Sequence, residues 1–157
     1  MRIILSIIFL CFIQSCCRSN LVTEEPSVES VVGKYEIASY SYSPSIDSSI
    51  SDLESKPFIE LKSDGSLVLS NMPIIEESDS GGYSLLEFRS GEGTYSISPL
   101  GGSASSNFYG IYMTCGDFPN PLGNPWFKII DNKYTLSFEY FRGDFYQKMS
   151  FASDISK

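Results

Sequence analysis

The stretch that decides the fold is WFKIIDNKYTLSFEYFRGDFYQKMSF, residues 126–151. Its three apolar segments are Trp126–Ile130, Tyr134–Phe141 and Phe145–Phe151. In the second and third segments apolar and polar side chains alternate with a period of two, as in strands with one buried face. Asp-Asn-Lys at 131–133 and Arg-Gly-Asp at 142–144 supply short turns between them. The stretch therefore predicts a three-stranded antiparallel meander.

The same alternation extends upstream and predicts nine strands in all. One helical turn is predicted at residues 51–54, where Ser51 and Glu54 form a capping-box pattern. Consecutive antiparallel strands favour closure, because closure removes exposed sheet edges. The sequence predicts an all-β, single antiparallel up-and-down barrel of about eight to nine strands. The six upstream strands are Val31–Tyr40, Phe58–Lys62, Leu67–Ser70, Tyr83–Arg89, Gly93–Ser98 and Phe108–Cys115.

The N-terminus begins with one charge, Arg2, followed by an apolar run from Ile3 to Ile13. A membrane-spanning helix needs about 20 apolar residues. This run is about half that length, which is typical of the apolar part of a secretory signal peptide.

Residues 13–16 then resemble the lipobox of bacterial lipoproteins. Ile13 occupies the aliphatic position, Ser15 the small residue before the cut, and Cys16 the lipidated position, whereas Gln14 departs from the usual pattern. The resemblance implies a cleaved signal peptide (1–15), a membrane anchor of palmitate-type acyl chains on Cys16 and a flexible tether over 16–30. The barrel domain follows over 31–157.

The resemblance also implies a location. Cys17, and not Asp, follows Cys16, which resembles the sorting pattern of outer-membrane lipoproteins. We expect a protein of the cell envelope, held by its lipid anchor at the outer membrane. A tether of this length reaches roughly 20 Å.

A second resemblance concerns the barrel. Gly33-Lys34-Tyr35 stands where lipocalins carry Gly-x-Trp at the start of the first strand, with tyrosine in place of tryptophan. The resemblance implies a lipocalin-like small barrel.

Composition excludes several functions. The chain has a net charge of −8, and loss of residues 1–15 with Arg2 makes it −9. Nucleic acid is a poor partner for such a chain, since Lys and Arg supply most of that affinity. The chain has no histidine, which excludes Ser-His-Asp and Cys-His catalysis and His-bearing zinc sites. We expect a non-enzymatic protein without metal or cofactor.

The two cysteines left after the signal peptide and the anchor are Cys17 and Cys115. A buried free thiol at Cys115 is the expectation, and a disulfide between the two is the open alternative.

Five tyrosines are predicted to point into the barrel, where they could line an apolar site with polar tips. The first functional hypothesis is therefore a small hydrophobic ligand bound in the interior. The alternative for these side chains is that they fill the core. The candidates are Tyr35, Tyr95, Tyr109, Tyr134 and Tyr140.

Three long loops are predicted at one end of the barrel, at Ser41–Pro57, Asn71–Gly82 and Pro99–Asn107. Short turns, including one at Ser90–Glu92, and the tether are predicted at the other end. Loops on a rigid scaffold often carry binding sites. The alternative function is a protein-interaction or inhibitor module whose acidic loops have apolar tips, at Ile46, Ile50, Met72, Ile74 and Ile75. The candidate partner-binding residues are Ile74, Ile75, Glu76, Glu77 and Asp79.

Overall fold

The structure, a computed structural model, describes residues 20–77, 83–101, 108–116, 123–142 and 145–156. Eight antiparallel strands form a closed barrel in sequence order, with β1 paired to β8. The predicted all-β up-and-down barrel is confirmed. The elements are α1 (Val28–Val31), β1 (Gly33–Ser41), α2 (Pro44–Ser51), β2 (Phe58–Leu61), β3 (Ser66–Glu77), β4 (Tyr83–Gly101), β5 (Phe108–Thr114), β6 (Trp126–Ile130), β7 (Lys133–Arg142) and β8 (Phe145–Ser156).

The two ends of the barrel differ in their connections. We call the end at which β1 begins the lower end; it holds the β2–β3, β4–β5 and β6–β7 connections. The upper end holds the β1–β2, β3–β4, β5–β6 and β7–β8 connections.

The C-terminal meander forms as its alternation predicts. Phe127 pairs with Leu136, and Leu136 pairs with Phe151. All three side chains have an exposed fraction of 0%. Burying a side chain of this size contributes about 1.5–3 kcal/mol. Asp131 and Asn132 have positive φ (52° and 60°), which the tight turn between β6 and β7 requires.

The predicted turn at Ser90–Glu92 is wrong, because these residues lie inside β4, the long strand that replaces two predicted ones. Glu92 pairs with Val68 of β3. The nearby Gly93 has a different role, since a Cβ there would stand 2.3 Å from the Thr114 carbonyl oxygen. Glycine is therefore needed for the close approach of β5, and not for a turn.

The predicted loop Asn71–Gly82 is also wrong in its first half, where β3 continues to Glu77. The register of β3 against β4 shifts between Leu69 and Met72, and Asn71 has φ 51°. The chain thus passes an irregularity and goes on as a strand. With one strand fewer than predicted, the β4–β5 connection falls at the lower end. The loops Ser41–Pro57 and Pro99–Asn107 therefore lie at opposite ends.

The β1–β2 connection contains α2, where the sequence predicted one turn at residues 51–54. The Ser43 hydroxyl accepts a hydrogen bond from the Ile46 N–H (3.5 Å), and Pro44 occupies the first turn. Ile46 and Ile50, four residues apart, have exposed fractions of 1% and 0%. This spacing is the helical signal that the sequence analysis missed.

The wall between β5 and β6 is irregular. In the part of the chain that the structure describes, these strands share one register pair, Gly110 with Trp126. A Cβ at Gly110 would stand 2.2 Å from the Pro125 carbonyl oxygen, so the two strands cross closely there. Towards the lower end they separate.

Residues 20–22 occupy this separation. The Tyr109 N–H donates to the Val22 carbonyl at 2.9 Å on the β5 side. On the β6 side, the Val22 N–H donates to Phe127 (3.1 Å) and the Ile129 N–H donates to Asn20 (2.8 Å). Val22 is buried. Asn20, Leu21 and Val22 are therefore part of the barrel wall.

α1 lies beneath β1 at the lower end. Its last residue, Val31, has an exposed fraction of 1%, and its carbonyl accepts a hydrogen bond from the Tyr35 hydroxyl at 2.7 Å. Burial, together with Tyr134 and Tyr95 nearby, raises the pKa of Tyr35 above its ordinary value of 10.0.

We predict that Tyr35→Phe lowers the free energy of unfolding by about 1–2 kcal/mol, because the Val31 carbonyl loses its partner while buried. The raised pKa means that the folded state keeps the hydroxyl proton that the unfolded state loses above pH 10.0. Stability is thus retained below that pH and falls above it. The variant should show a shallower fall, by up to about 1.4 kcal/mol per pH unit.

Urea unfolding followed through Trp126 fluorescence measures both effects. Tyr112→Phe is the matched control, since Tyr112 is 56% exposed. Equal stability of the two variants at neutral pH would contradict the role of Tyr35.

Candidate functional site

Two of the tyrosines predicted to line a ligand site, Tyr35 and Tyr95, are buried in the barrel, and their hydroxyls are already used. The Tyr35 hydroxyl donates to Val31, and the Tyr95 hydroxyl donates to the Lys62 carbonyl at 2.9 Å. Burial raises the pKa of Tyr95. These hydroxyls hold the lower end of the barrel together.

The remaining candidates differ in burial. Tyr134 is 5% exposed and packs edge-on against Phe127, with ring centroids 5.7 Å apart. Tyr109 is partly buried against the core. The side chain of Tyr140 lies outside the described part of the structure.

The space around Tyr35 is filled by apolar side chains. A side chain with an exposed fraction of 0% is in contact with no space large enough for a water molecule. Tyr35 is one of several such residues. Core filling therefore describes this part of the interior better than a ligand cavity does. The other apolar side chains at 0% are Ile50, Ile59, Ile111, Phe127, Leu136, Met149 and Phe151.

Among the described residues, two buried side-chain polar atoms have no hydrogen-bond partner: the Trp126 Nε1 at the start of β6 and the hydroxyl oxygen of Tyr42, a residue that the sequence analysis missed. Burial, with the Asp47 carboxylate nearby, raises the pKa of this hydroxyl. The same carboxylate accepts a hydrogen bond from the Tyr42 N–H at 3.1 Å. A buried polar group without a partner costs about 1–3 kcal/mol.

The apolar residues predicted at the loop tips are not exposed. Ile46, Ile50 and Met72 belong to the core cluster, and Ile75 packs against that cluster. Ile74 is 5% exposed. The expectation of exposed apolar loop tips is therefore wrong for these five residues.

Two of the three acidic candidates, Glu76 and Glu77, lie on β3. Glu76 is exposed, and its carboxylate accepts a hydrogen bond from the Ser84 hydroxyl at 3.5 Å. Glu77 ends β3 and pairs with Tyr83, while its side chain lies outside the described part. Asp79 lies outside the described residues altogether.

Residues 71–77 of β3 and 83–93 of β4 form a two-stranded extension that we call the β3–β4 arm. β2 pairs with β3 as far as Ser70, and β5 pairs with β4 from Thr94 onward. In the described residues no third strand pairs with 72–77 of β3 or 83–92 of β4, whereas Gly93 lies against Thr114 of β5. Residues 72–74 are buried, so the β3 edge is covered there. The β4 edge is intermediate or exposed over 83–92 and carries backbone groups without a ladder partner.

Leu86 is the exposed apolar residue of the arm. It is 56% exposed and lies at a register shift, where Ile74 pairs with Glu87 and Ile75 pairs with Leu85. Glu87 forms an exposed ion pair with Arg89. The described arm carries four glutamates, at 76, 77, 87 and 92, against this one arginine, so its edge is acidic.

An open groove of about 710 Å³ lies at the lower end, between residues 25–28 and the β2–β3 turn. Asp64 in this groove accepts hydrogen bonds from the Ser66 hydroxyl (2.6 Å) and the Ser66 N–H (2.8 Å). These bonds lower the pKa of its carboxyl group. The carboxylate acts here as a turn-stabilising acceptor.

The remaining features are the cysteines, the possible metal-ligating groups and the helices. Cys16 and Cys17 lie outside the described residues. Cys115 is a free thiol that is partly buried, and burial raises its pKa. In the described ranges no three His, Cys, Asp or Glu residues are grouped so that they could hold a metal ion. No helix in those ranges has both the length and the apolar character needed to cross a bilayer.

In comparisons with known proteins, no family model, no curated protein sequence and no solved structure matches this chain.

Proposed function

We propose that this protein is a non-enzymatic lipoprotein of the cell envelope, anchored through acylated Cys16, which binds another envelope protein with its β3–β4 arm. The anchor is supported by the lipobox-like run from Ile13 to Cys16. Outer-membrane sorting is supported by Cys17 in the following position.

The observation that carries the binding proposal is the exposed β4 edge of the arm, which has no ladder partner among the described residues. An unpaired strand edge presents N–H and C=O groups that an extended segment of another protein can join as an added strand. Natural edges are usually blunted by charge or proline, and Pro73 is on β3, whereas 83–93 of β4 contain no proline. Leu86 places a 56% exposed apolar side chain on β4, where it would contact an added strand or its neighbour.

The charge of the arm indicates the kind of partner. Four glutamates and one arginine favour an extended segment that carries lysine or arginine. The arm belongs to the upper end, opposite the entry of the chain at Asn20. An anchor on Cys16 would therefore join the barrel at the end opposite the arm.

The anchor predicts that cells supplied with a fatty-acid analogue label the protein on Cys16. Cys16→Ala should abolish the label, whereas Cys17→Ala should keep it. Labelling of the Cys16→Ala protein would refute the assignment, as would recovery of a protein that still begins with Met1.

The arm predicts site-specific crosslinking in intact cells. A photoreactive phenylalanine at Leu86 should give a discrete adduct with one envelope protein. The same group at Tyr112, also 56% exposed but on β5, should not. The Leu86 adduct should disappear when Glu76, Glu87 and Glu92 are changed to lysine. Equal crosslinking at the two positions would contradict a binding role for the arm.

A second candidate function is binding of a small apolar ligand at the upper part of the barrel, and the unpartnered Tyr42 hydroxyl favours it. A ligand with one polar atom would supply the missing hydrogen bond. We predict that Tyr42→Phe raises the free energy of unfolding by about 1 kcal/mol or more. It should weaken saturable binding of the dye N-phenyl-1-naphthylamine about 2–10-fold.

The control for Tyr42→Phe is Tyr112→Phe, which should change neither quantity. Fluorescence titration and urea unfolding measure the two effects. If the dye does not bind saturably to the unaltered protein, the barrel is not a carrier of such ligands.

A further inference from the structure

We infer that the lower end of the barrel lies directly on the bilayer surface, with Val28 and Ile130 in contact with lipid. This inference rests on the proposed acylation of Cys16. It goes beyond it by fixing the orientation of the barrel and the residues that touch the membrane.

The first argument is the length of chain between the anchor and the barrel. Asn20 is held to β6, since its carbonyl accepts a hydrogen bond from the Ile129 N–H at 2.8 Å. Three residues lie between it and Cys16, so four Cα–Cα steps join the two, and an extended chain spans at most about 3.6 Å per step. Asn20, which is hydrogen-bonded to the end of β6, thus lies within about 14 Å of the acylated residue. A tether of the length expected from the sequence would have allowed the barrel to move away.

The second argument is the placement of exposed apolar side chains. Val28 on α1 is 38% exposed, and Ile130 at the end of β6 is 40% exposed. Both residues belong to the lower end, to which Asn20 is attached. Large apolar side chains on the rim nearest the anchor are suited to the region between headgroups and acyl chains.

The charge of the lower end indicates which lipid surface it fits. Across α1, residues 25–27 just before it and the two turns, acidic side chains outnumber basic ones: Glu25, Glu29, Asp64 and Asp131 against Lys62 and Lys133. Anionic lipid would be repelled by this surface, so it is suited to zwitterionic headgroups. The lower end is held at the bilayer surface by the short connection and the apolar side chains. Attraction to anionic lipid is not needed.

Fluorescence quenching in vesicles tests the inference. The acylated protein, with Cys17→Ser and Cys115→Ser, receives an environment-sensitive fluorophore at Ile130→Cys, or at Leu86→Cys on the arm as the matched control. Each is reconstituted into phosphatidylcholine vesicles with and without lipid that carries a shallow spin label. The probe at 130 should lose most of its fluorescence to the spin label, and the probe at 86 should lose almost none.

A second variant tests the role of the short connection. An insert of about 20 Gly-Ser residues between Cys17 and Arg18 reaches about 25 Å and leaves Asn20–Val22 in place. Quenching at 130 should fall strongly in this variant. Unchanged quenching would overturn the role of the short connection.

Flotation of the protein with the vesicles separates the two proposals. If the unaltered protein fails to float, the anchor is wrong and the inference fails with it. If it floats and the probes at 130 and 86 are quenched equally, the anchor stands and the contact of the lower end with lipid is overturned.

Discussion

The barrel depends on the junction of β5 and β6, because a closed barrel needs hydrogen bonds on both sides of every strand. At Gly110 the strands are too close to admit a side chain, since a Cβ would stand 2.2 Å from the Pro125 carbonyl. Towards the lower end they separate, and Asn20–Val22 supply the missing hydrogen bonds. The segment that follows the proposed anchor is therefore a structural part of the barrel wall.

This junction links attachment to stability. Removing Asn20–Val22 from the wall would leave the backbone groups of Tyr109, Phe127 and Ile129 without partners, at a cost of about 1–3 kcal/mol for each group that stays buried. A force on the proposed anchor would therefore act on the barrel wall at that point. The proposed attachment would be coupled to folding through the same hydrogen bonds, whereas the arm is at the opposite end.

The buried tyrosines differ in how their hydroxyl groups are bonded. Tyr35 and Tyr95 donate their hydroxyl groups to the carbonyls of Val31 and Lys62, and so they stabilise the lower end. Tyr42, nearer the upper end, has a buried hydroxyl with no partner in the described part of the chain. The sequence pattern predicts that Tyr35 and Tyr95 point inside and leaves Tyr42 in a predicted loop, but it does not say which carbonyl each hydroxyl will meet. That choice depends on residues distant in the chain, such as Lys62 for Tyr95.

Prediction from the sequence succeeded where the signal is local. The strands β6, β7 and β8 follow from alternation and from Asp131 and Asn132, whose positive φ forms the turn between neighbours. It failed along residues 71–93, because glycine and proline occur inside strands as well as in turns, and the sequence does not distinguish the two settings. Gly93 lies inside β4, where the absence of a Cβ lets β5 approach closely. Pro73 lies inside β3, on a side that has no ladder partner among the described strands, which is the setting in which proline is tolerated.

The sequence alone was sufficient for the all-β class, the inward faces of the strands and the exclusion of histidine chemistry, since these follow from composition and from a period of two. The number of strands, the end at which each loop lies, the burial of Ile46, Ile50 and Met72, and the place of Asn20–Val22 in the wall came from the tertiary structure. These features depend on which distant backbones approach one another, and a local pattern of apolar and polar residues does not encode that approach.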